Sequence, residues 1–369
     1  LRPWFGSASA GYGYPLHAIP IAQPQVRPEV NSPAPEGNAA TRLLDACLLI
    51  YPGSPRSRAK QWIIAGRVSV NGVVVRKPHF PVSDRDEIVL GGRHATTLDC
   101  GTGWQIHPRV SLLYLDTSLA IVNKGPGLIS VPAAPGDLSA LSILADFLAG
   151  KLKAQKRGVG GKSLPPSYRR LRPLPVHRLD QYTSGVFCMA VNSPARNHLI
   201  EQLKAHTMKR EYVAYVEGRA PSQKRTWRQW LQLSQDELRQ HVLSESAARA
   251  IGDEAREAIT HYEVIAEYPL AGGKQFASKL RLRLETGRKH QIRVQAANAG
   301  LPLIGDRTYN PAVRCEPAEG HIRFPRQALH AEVLTLEHPE KPGTRMTWTA
   351  ALPRDLRNLE AQLRSGHPW

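Results

Sequence analysis

Residues 175–191 read PVHRLDQYTSGVFCMAV. A charged cluster, His177-Arg178-Leu179-Asp180, runs into a polar turn, Gln181 to Gly185, and then into an apolar run, Val186 to Val191. Such a run, bounded by turn residues, predicts a buried strand. The turn that feeds it can meet solvent on one side while the strand holds the other side rigid. Asp180, a carboxylate set between cations at that turn, is therefore a place for chemistry.

Around this stretch the pattern is one of many alternating strands and few helices. Leu112–Asp116 and Leu119–Lys124 predict short strands, and Glu211–Val216, Thr260–Ala266 and Lys279–Leu284 alternate polar and apolar residues. Glu332–Leu336 and Arg345–Ala350 predict late strands, while Ala195–Ala205 and Lys289–Ala299 have helical spacing. The fold class expected is α+β: a catalytic domain on a mainly antiparallel, mixed β-sheet with flanking helices, plus a small αβ domain. Residues 219–258, polar with Trp227 and Trp230, resist assignment.

The N-terminal third divides differently. Residues 1–38, rich in Pro, Gly, Ala and Ser, predict a flexible or loosely docked arm. Residues 39–92 predict a separate module with a first helix running to Ile50 with Thr41 near its N-cap, a second helix over Ser57–Ile64, and a hairpin over Arg67–Val75 turning at Asn71-Gly72. The glycines of 93–109 suggest a linker, and the catalytic domain is expected over 110–369.

Lys and Arg outnumber Asp and Glu by 49 to 31, a formal net charge of +18, which favours a polyanionic partner such as nucleic acid. Basic residues concentrate at 151–172, just before Asp180, where a phosphate-tracking arm or a solvated loop would fit. Cys47, Cys100, Cys188 and Cys315 lie far apart without CxxC spacing. That argues against a zinc site or disulfide framework and for a reducing compartment. No apolar run approaches the roughly 20 residues of a membrane span, and no secretory signal is visible, so a cytoplasmic protein is expected.

From the residues alone, three segments are candidates for one site: Arg178 and Asp180; Tyr212 behind Lys209 and Arg210; and Leu284–Arg293, where a strand meets a helix through Gly287. A cation at that junction could meet the carboxylate, and an aromatic could stack on a base drawn out of RNA. Each has a plainer reading as well: Asp180 a turn cap, Arg288 a surface charge, Tyr212 a core residue.

Two resemblances change the weighting. PRSRAKQWIIAGRVSVNGVVVRKP, from Pro55, resembles the S-four-type RNA-binding domain. That resemblance implies phosphate contacts by Arg56, Arg58, Lys60 and Arg67. HRLDQYTSG (177–185), KREYVAYVEG (209–218), TGRKHQIR (286–293), LIGDRTY (303–309) and LHA (329–331) resemble, in order, segments of the RluA-type pseudouridine synthases. The likeness runs from Leu112 to Ala351; Lys289 stands where that family often has Thr, and Phe187-Cys188-Met189 varies an aliphatic strand.

The second resemblance implies isomerisation of uridine to pseudouridine in structured RNA, without cofactor or metal. It makes Asp180 the catalytic carboxylate, Arg288 its ion-pair partner and Tyr212 the stacking platform. Arg178 would hold a phosphate or fill the gap left by the base, Ile292 would pack beneath the base, and His177 and Thr183 would line the substrate site. Large-subunit ribosomal RNA is the first expected target and transfer RNA the second, with a monomer and no obligate protein partner. A non-catalytic RNA-binding or ribosome-assembly factor, and a glycosidase releasing free base, are the alternatives.

Overall fold

The computed structural model describes residues 41–64, 67–71, 73–90, 98–153, 164, 166–270, 273–314 and 322–366. The expected arm over 1–38 lies outside these, as does most of 154–165 in the basic stretch. The chain divides into two compact units between Gly91 and Gly92.

In the first unit β1 (Thr41–Arg42) leads into α1 (Leu43–Ile50), and α2 (Arg56–Ile64) follows. Thr41 lies in β1, one residue before Arg42, which holds the cap position without a side-chain bond. The strands β2 (Val68–Val70), β3 (Val73–Val74), β4 (Pro81–Val82) and β5 (Ile88–Leu90) complete the unit. β2 pairs with β3 across Asn71 and with β5 on its other edge, while β4 pairs with β1. α2 buries Ala59 and Ile63, four residues apart on one helical face, which leaves Arg56, Arg58 and Lys60 exposed.

The second unit opens with a meander of β6 (Leu98–His107), β7 (Val110–Leu115) and β8 (Leu119–Lys124). β6 corrects the expected linker over 93–109. Its Gly101 and Gly103 fall where the register to β7 shifts between Asp99 and Trp104, so they mark an irregularity inside a strand. α3 (Ala140–Leu148) starts at a capping box in which Ser139 and Ser142 bond reciprocally. Then come β9 (Leu174–Pro175), β10 (Ser184–Ala190), α4 (Ser193–Lys204) and β11 (Lys209–Glu217). The unassigned 219–258 holds β12 (Lys224–Leu233), β13 (Gln240–Leu243) and α5 (Glu245–Ile251). β14 (Arg256–Leu270), β15 (Gln275–Leu284), α6 (Gln291–Asn298), α7 (Pro311–Arg314), β16 (Leu329–Glu337), β17 (Arg345–Thr349) and α8 (Arg354–Ser365) follow.

One sheet joins β6 to β17 in the order β13-β12-β14-β15-β11-β16-β10-β8-β7-β6, with β17 on β16 and β9 on β10. Among the described strand pairs β10–β16 is parallel and the others antiparallel, the mixed sheet of the expected α+β class.

All seven residues of β10 are buried. Phe187 and Met189 enter one core with α3, Tyr212, Leu282 and Ile292; Val186, Cys188 and Ala190 enter another with Ala195 and Leu199 of α4. Side chains alternate across a strand, so an unbroken apolar run can be stable only between two such layers. Each fully buried side chain of this size contributes about 1.5–3 kcal/mol. Gly185, at φ 123°, pairs with Ala331 where β10 and β16 run parallel, and a Cβ there would lie 2.1 Å from the Ala331 carbonyl oxygen. The turn carrying Asp180 therefore hangs from the middle of the sheet on a strand that cannot shift.

Candidate active site

That turn is clamped along its backbone. The Thr183 N–H bonds the Asp180 carbonyl at 3.0 Å, and Gly127 N–H and Lys124 Nζ reach the Gln181 carbonyl at 2.9 and 3.0 Å. Arg326 Nη1 donates to the Tyr182 carbonyl at 3.0 Å, and Ser130 Oγ bonds both the N–H and the carbonyl of Leu179 at 2.9 Å. Lys124 is fully buried and also donates to the carbonyls of Gly125 and Leu128. Burial pushes its ammonium down to about 7, against the pull of the Asp180 charge. With its backbone so held, Asp180 can keep its carboxylate in one place.

The carboxylate's partner is Arg293. Its Nη1 donates to Asp180 Oδ2 at 3.2 Å. The same guanidinium forks Asp306 through Nε at 2.7 Å and Nη2 at 2.8 Å, and bonds Thr308 Oγ1 at 2.9 Å. Asp306 is wholly buried and Arg293 7% exposed, so a bidentate pair anchors the cation and leaves one nitrogen for Asp180. Burial opposes the Arg293 charge, but Asp306 and Asp180 outweigh it and raise its pKa. Gly305 permits this corner: at φ 74° its Cβ would stand 2.2 Å from the Arg326 carbonyl oxygen.

The expected pairing of Arg288 with Asp180 is therefore corrected. Arg288 is exposed, and its Nε donates to the Glu257 carbonyl at 3.1 Å. The cause is local. His290 takes a left-handed conformation, φ 54°, and α6 begins only at Gln291. Arg288 thus precedes the helix, while Arg293 lies on its first turn, facing the carboxylate. A left-handed histidine at this position is strain held in place by its surroundings: its Nδ1 lies 3.0 Å from Tyr309 Oη and its Nε2 4.0 Å from Asp180 Oδ2.

Asp180 opens onto a cleft of about 530 Å³ walled by Arg178, Arg210, Tyr212, Leu284, Arg288 and Ile292. Tyr212, on β11, is 6% exposed, and burial raises its phenol pKa, so it stays neutral in the pH range of life. Ile292 is buried beside it in the same core. Arg178 is exposed at the rim. Two residues expected as substrate contacts also serve the scaffold. His177 Nε2 accepts the Cys188 N–H at 3.2 Å, its ring edge-on to Phe187, and buried Thr183 closes the turn.

Sequence reasoning assigns no role to Arg293, Asp306, Lys124 or Arg326. The signal for the first two lay in the quoted TGRKHQIR and GDRTY segments. Nothing in a strand-like LAIVNK marks its lysine as buried.

Burial pushes His177 down to about 3 and His290 and His330 down to about 4. Each folded-state value lies below the ordinary 6.5, so the unfolded chain binds more protons between roughly pH 6.5 and 4. Stability is fully present above about 6.5 and falls as the medium acidifies, by up to about 2–3 kcal/mol for each ring near pH 4.5. Thermal melts from pH 7.5 to 4.5 should show this decline; an unchanged melting temperature across that window would mean these rings are not held neutral.

In the first unit Arg56 pairs with Asp45 at 2.8 Å, Arg58 and Lys60 project from α2, and the Arg67 guanidinium lies over the Trp62 ring at 5.7 Å. Among the described residues no group of three His, Cys, Asp or Glu side chains is placed to hold a metal ion. No described helix is long and apolar enough to cross a membrane.

Comparison with known proteins bears on this geometry. The family model described as RNA pseudouridylate synthase matches residues 118–298, and that of the S4 domain matches residues 41–88. The chain is 31% identical over 345 residues to ribosomal large subunit pseudouridine synthase D of Yersinia pestis, covering 90% of this chain and 93% of that protein. It is 30% identical over 350 residues to the protein of the same description in Escherichia coli strain K12, covering 92% and 95%. Among solved structures, human RNA pseudouridylate synthase domain containing 1 superposes with a TM-score of 0.47 at 21% identity, over 69% of this chain and 95% of that one.

Proposed function

The chain belongs to the RNA pseudouridylate synthase family, isomerising uridine in RNA to pseudouridine, and we propose that Asp180 is its catalytic carboxylate and large-subunit ribosomal RNA its substrate. The observation that carries the assignment is the Asp180–Arg293–Asp306 arrangement at the mouth of the Tyr212 cleft. It holds one charged oxygen rigidly where a uridine drawn out of its helix would enter. The relatives described as acting on the ribosomal large subunit, and the match to an S4 domain, support the choice of RNA. A monomer working in the cytoplasm is the simplest form of this reading.

In this scheme the bond from uracil N1 to ribose C1′ breaks, the base turns, and a bond from C5 to C1′ forms. The C5 proton leaves and N1 gains one, so atoms and electrons balance without a second substrate. Asp180 acts either by covalent attack or by taking the sugar proton beside C1′. Tyr212 stacks on the base, and Ile292 packs beneath it. Arg178 meets phosphate or the vacated stack, and Arg56, Arg58, Lys60 and Arg67 on the first unit meet phosphates.

Arg288, on this account, lines the cleft without holding Asp180. Arg288→Met is expected to leave stability within about 1 kcal/mol and to raise the KM for RNA a few-fold with kcat nearly constant. A loss of kcat beyond about a hundredfold would instead make Arg288 a partner of the chemistry.

The substrate assignment is tested by incubating the protein with transcripts of large-subunit ribosomal RNA and of transfer RNAs, then mapping pseudouridine by carbodiimide-dependent reverse-transcription stops. Discrete new stops in the ribosomal transcript are expected. Stops confined to transfer RNA would overturn the choice of RNA.

A further inference from the structure

Asp180 borders a second cleft that the scheme above leaves empty. Its volume is about 410 Å³, and Arg178, Asp180, Tyr182, Leu238, Lys289 and Arg307 line it. We propose that this cleft receives the nucleotide next to the target uridine. Tyr182 and Leu238 would hold its base, and Arg178, Lys289 and Arg307 would hold the flanking phosphates. The proposal rests on the reading that the first cleft takes the uridine.

Tyr182 is 47% exposed and Leu238 65% exposed, two large apolar surfaces turned to solvent on one cavity. A lone exposed leucine needs no explanation, but here both side chains stand on backbones that are unusually well fixed. The Tyr182 carbonyl is gripped by Arg326, the carbonyl before it by Lys124 and Gly127. Leu238 is at the tip of the β12–β13 hairpin, in a tight turn. There the Ser234 hydroxyl accepts the Arg239 N–H at 3.0 Å, and the Asp236 carboxylate accepts the Leu238 N–H at 2.9 Å.

That tip is also tied to the catalytic segment. Lys289 Nζ donates to the Glu237 carbonyl, and the Gln240 N–H donates to Tyr309 Oη at 2.7 Å, whose hydroxyl contacts His290. Rigid presentation of an apolar side chain lowers the entropy cost of binding a flat partner, which is what stacking on a base requires.

Charge selects the occupant. Among the described residues Arg178 and Arg307 make no ion pair, and Lys289 bonds a neutral carbonyl, so three cations border the cleft without carboxylate partners. A cleft with two exposed apolar faces and three cations outside any ion pair fits a base with its phosphates better than an apolar peptide or lipid. The two clefts share Arg178, Leu179, Asp180, His290 and Arg293 while Tyr212 lines the first and not the second, so the second suits the residue one step along the strand.

The test uses the full chain and the uridine mapped on the ribosomal transcript. A synthetic RNA fragment spanning that uridine is compared with fragments carrying an abasic nucleotide on its 5′ or its 3′ side. Tyr182→Ala and Leu238→Ala are exposed truncations that should fold as the parent does, checked by melting. Each is expected to lower kcat/KM on the intact fragment by about tenfold, the scale of one lost stacking partner. One of the abasic fragments should slow the parent enzyme by a similar factor yet slow the double variant no further.

Variants with parental kcat/KM, or an abasic effect that multiplies with theirs, would overturn the proposal. Failure of the parent enzyme to convert any uridine would overturn the underlying assignment and this proposal together, so the two failures are distinct.

Discussion

Replacing Asp180 by Asn is expected to lower pseudouridine formation by at least about a thousandfold while RNA affinity stays within a few-fold of the parent. The amide keeps the size and shape of the carboxylate, and its oxygen can still accept the Arg293 Nη1 hydrogen now donated to Oδ2 at 3.2 Å. Arg293 remains forked on Asp306, so the corner that positions the turn persists. What disappears is the negative oxygen that either attacks or takes a proton, and among the described residues no other carboxylate lines that cleft to replace it. Pseudouridine release counted under single-turnover conditions, together with filter binding of the same RNA, separates chemistry from affinity. Residual activity near the parent level would remove Asp180 from the chemistry.

Arg293→Met should be severe in a different way. It strips the counter-charge from Asp306, which is fully buried, and from Asp180 at once. Leaving a buried carboxylate without its cation costs about 3–5 kcal/mol. For a unit of this size that corresponds to a drop in melting temperature on the order of 10 °C. Activity should be lost even at temperatures where the variant remains folded, because Asp180 no longer has a fixed rotamer. Arg293→Lys keeps the charge but cannot fork Asp306 while reaching Asp180 and Thr308, so it should regain part of the stability and little of the rate. Unchanged melting and full activity in Arg293→Met would show that the corner does not position the carboxylate.

The contrast between Arg288 and Arg293 marks where sequence reading stops. TGRKHQIR placed a cation near Asp180 correctly as a segment, but the segment has several, and spacing alone cannot say which one turns inward. The left-handed His290 decides it, by breaking the chain direction between the two arginines before α6 begins. A backbone conformation held by Tyr309 and by neighbouring packing leaves no trace in a run of polar residues.

Elsewhere the alternation was easy to read. β11 and β15 carry an alternating sequence and β10 an unbroken apolar run, and each lies inside the sheet with partners on both edges. β12 escaped for the opposite reason. Near the sheet's edge, it buries Trp227 and Leu231 but exposes Lys224, Arg225, Thr226 and Arg228, so its pattern is too polar to stand out. Lys124 escaped because its three bonds go to backbone carbonyls of loops, which no spacing predicts. The β6 strand was hidden by glycines that serve an irregular register, not a linker.

The most direct test of the account is a nucleoside analysis of large-subunit ribosomal RNA after incubation with the parent protein and with Asp180→Asn. Digestion to nucleosides followed by chromatography and mass spectrometry distinguishes uridine, pseudouridine of identical mass, and free uracil. A stoichiometric gain of pseudouridine is expected with the parent, with no free uracil, and neither product with Asp180→Asn. Free uracil in place of pseudouridine, or pseudouridine formed equally by Asp180→Asn, would contradict it.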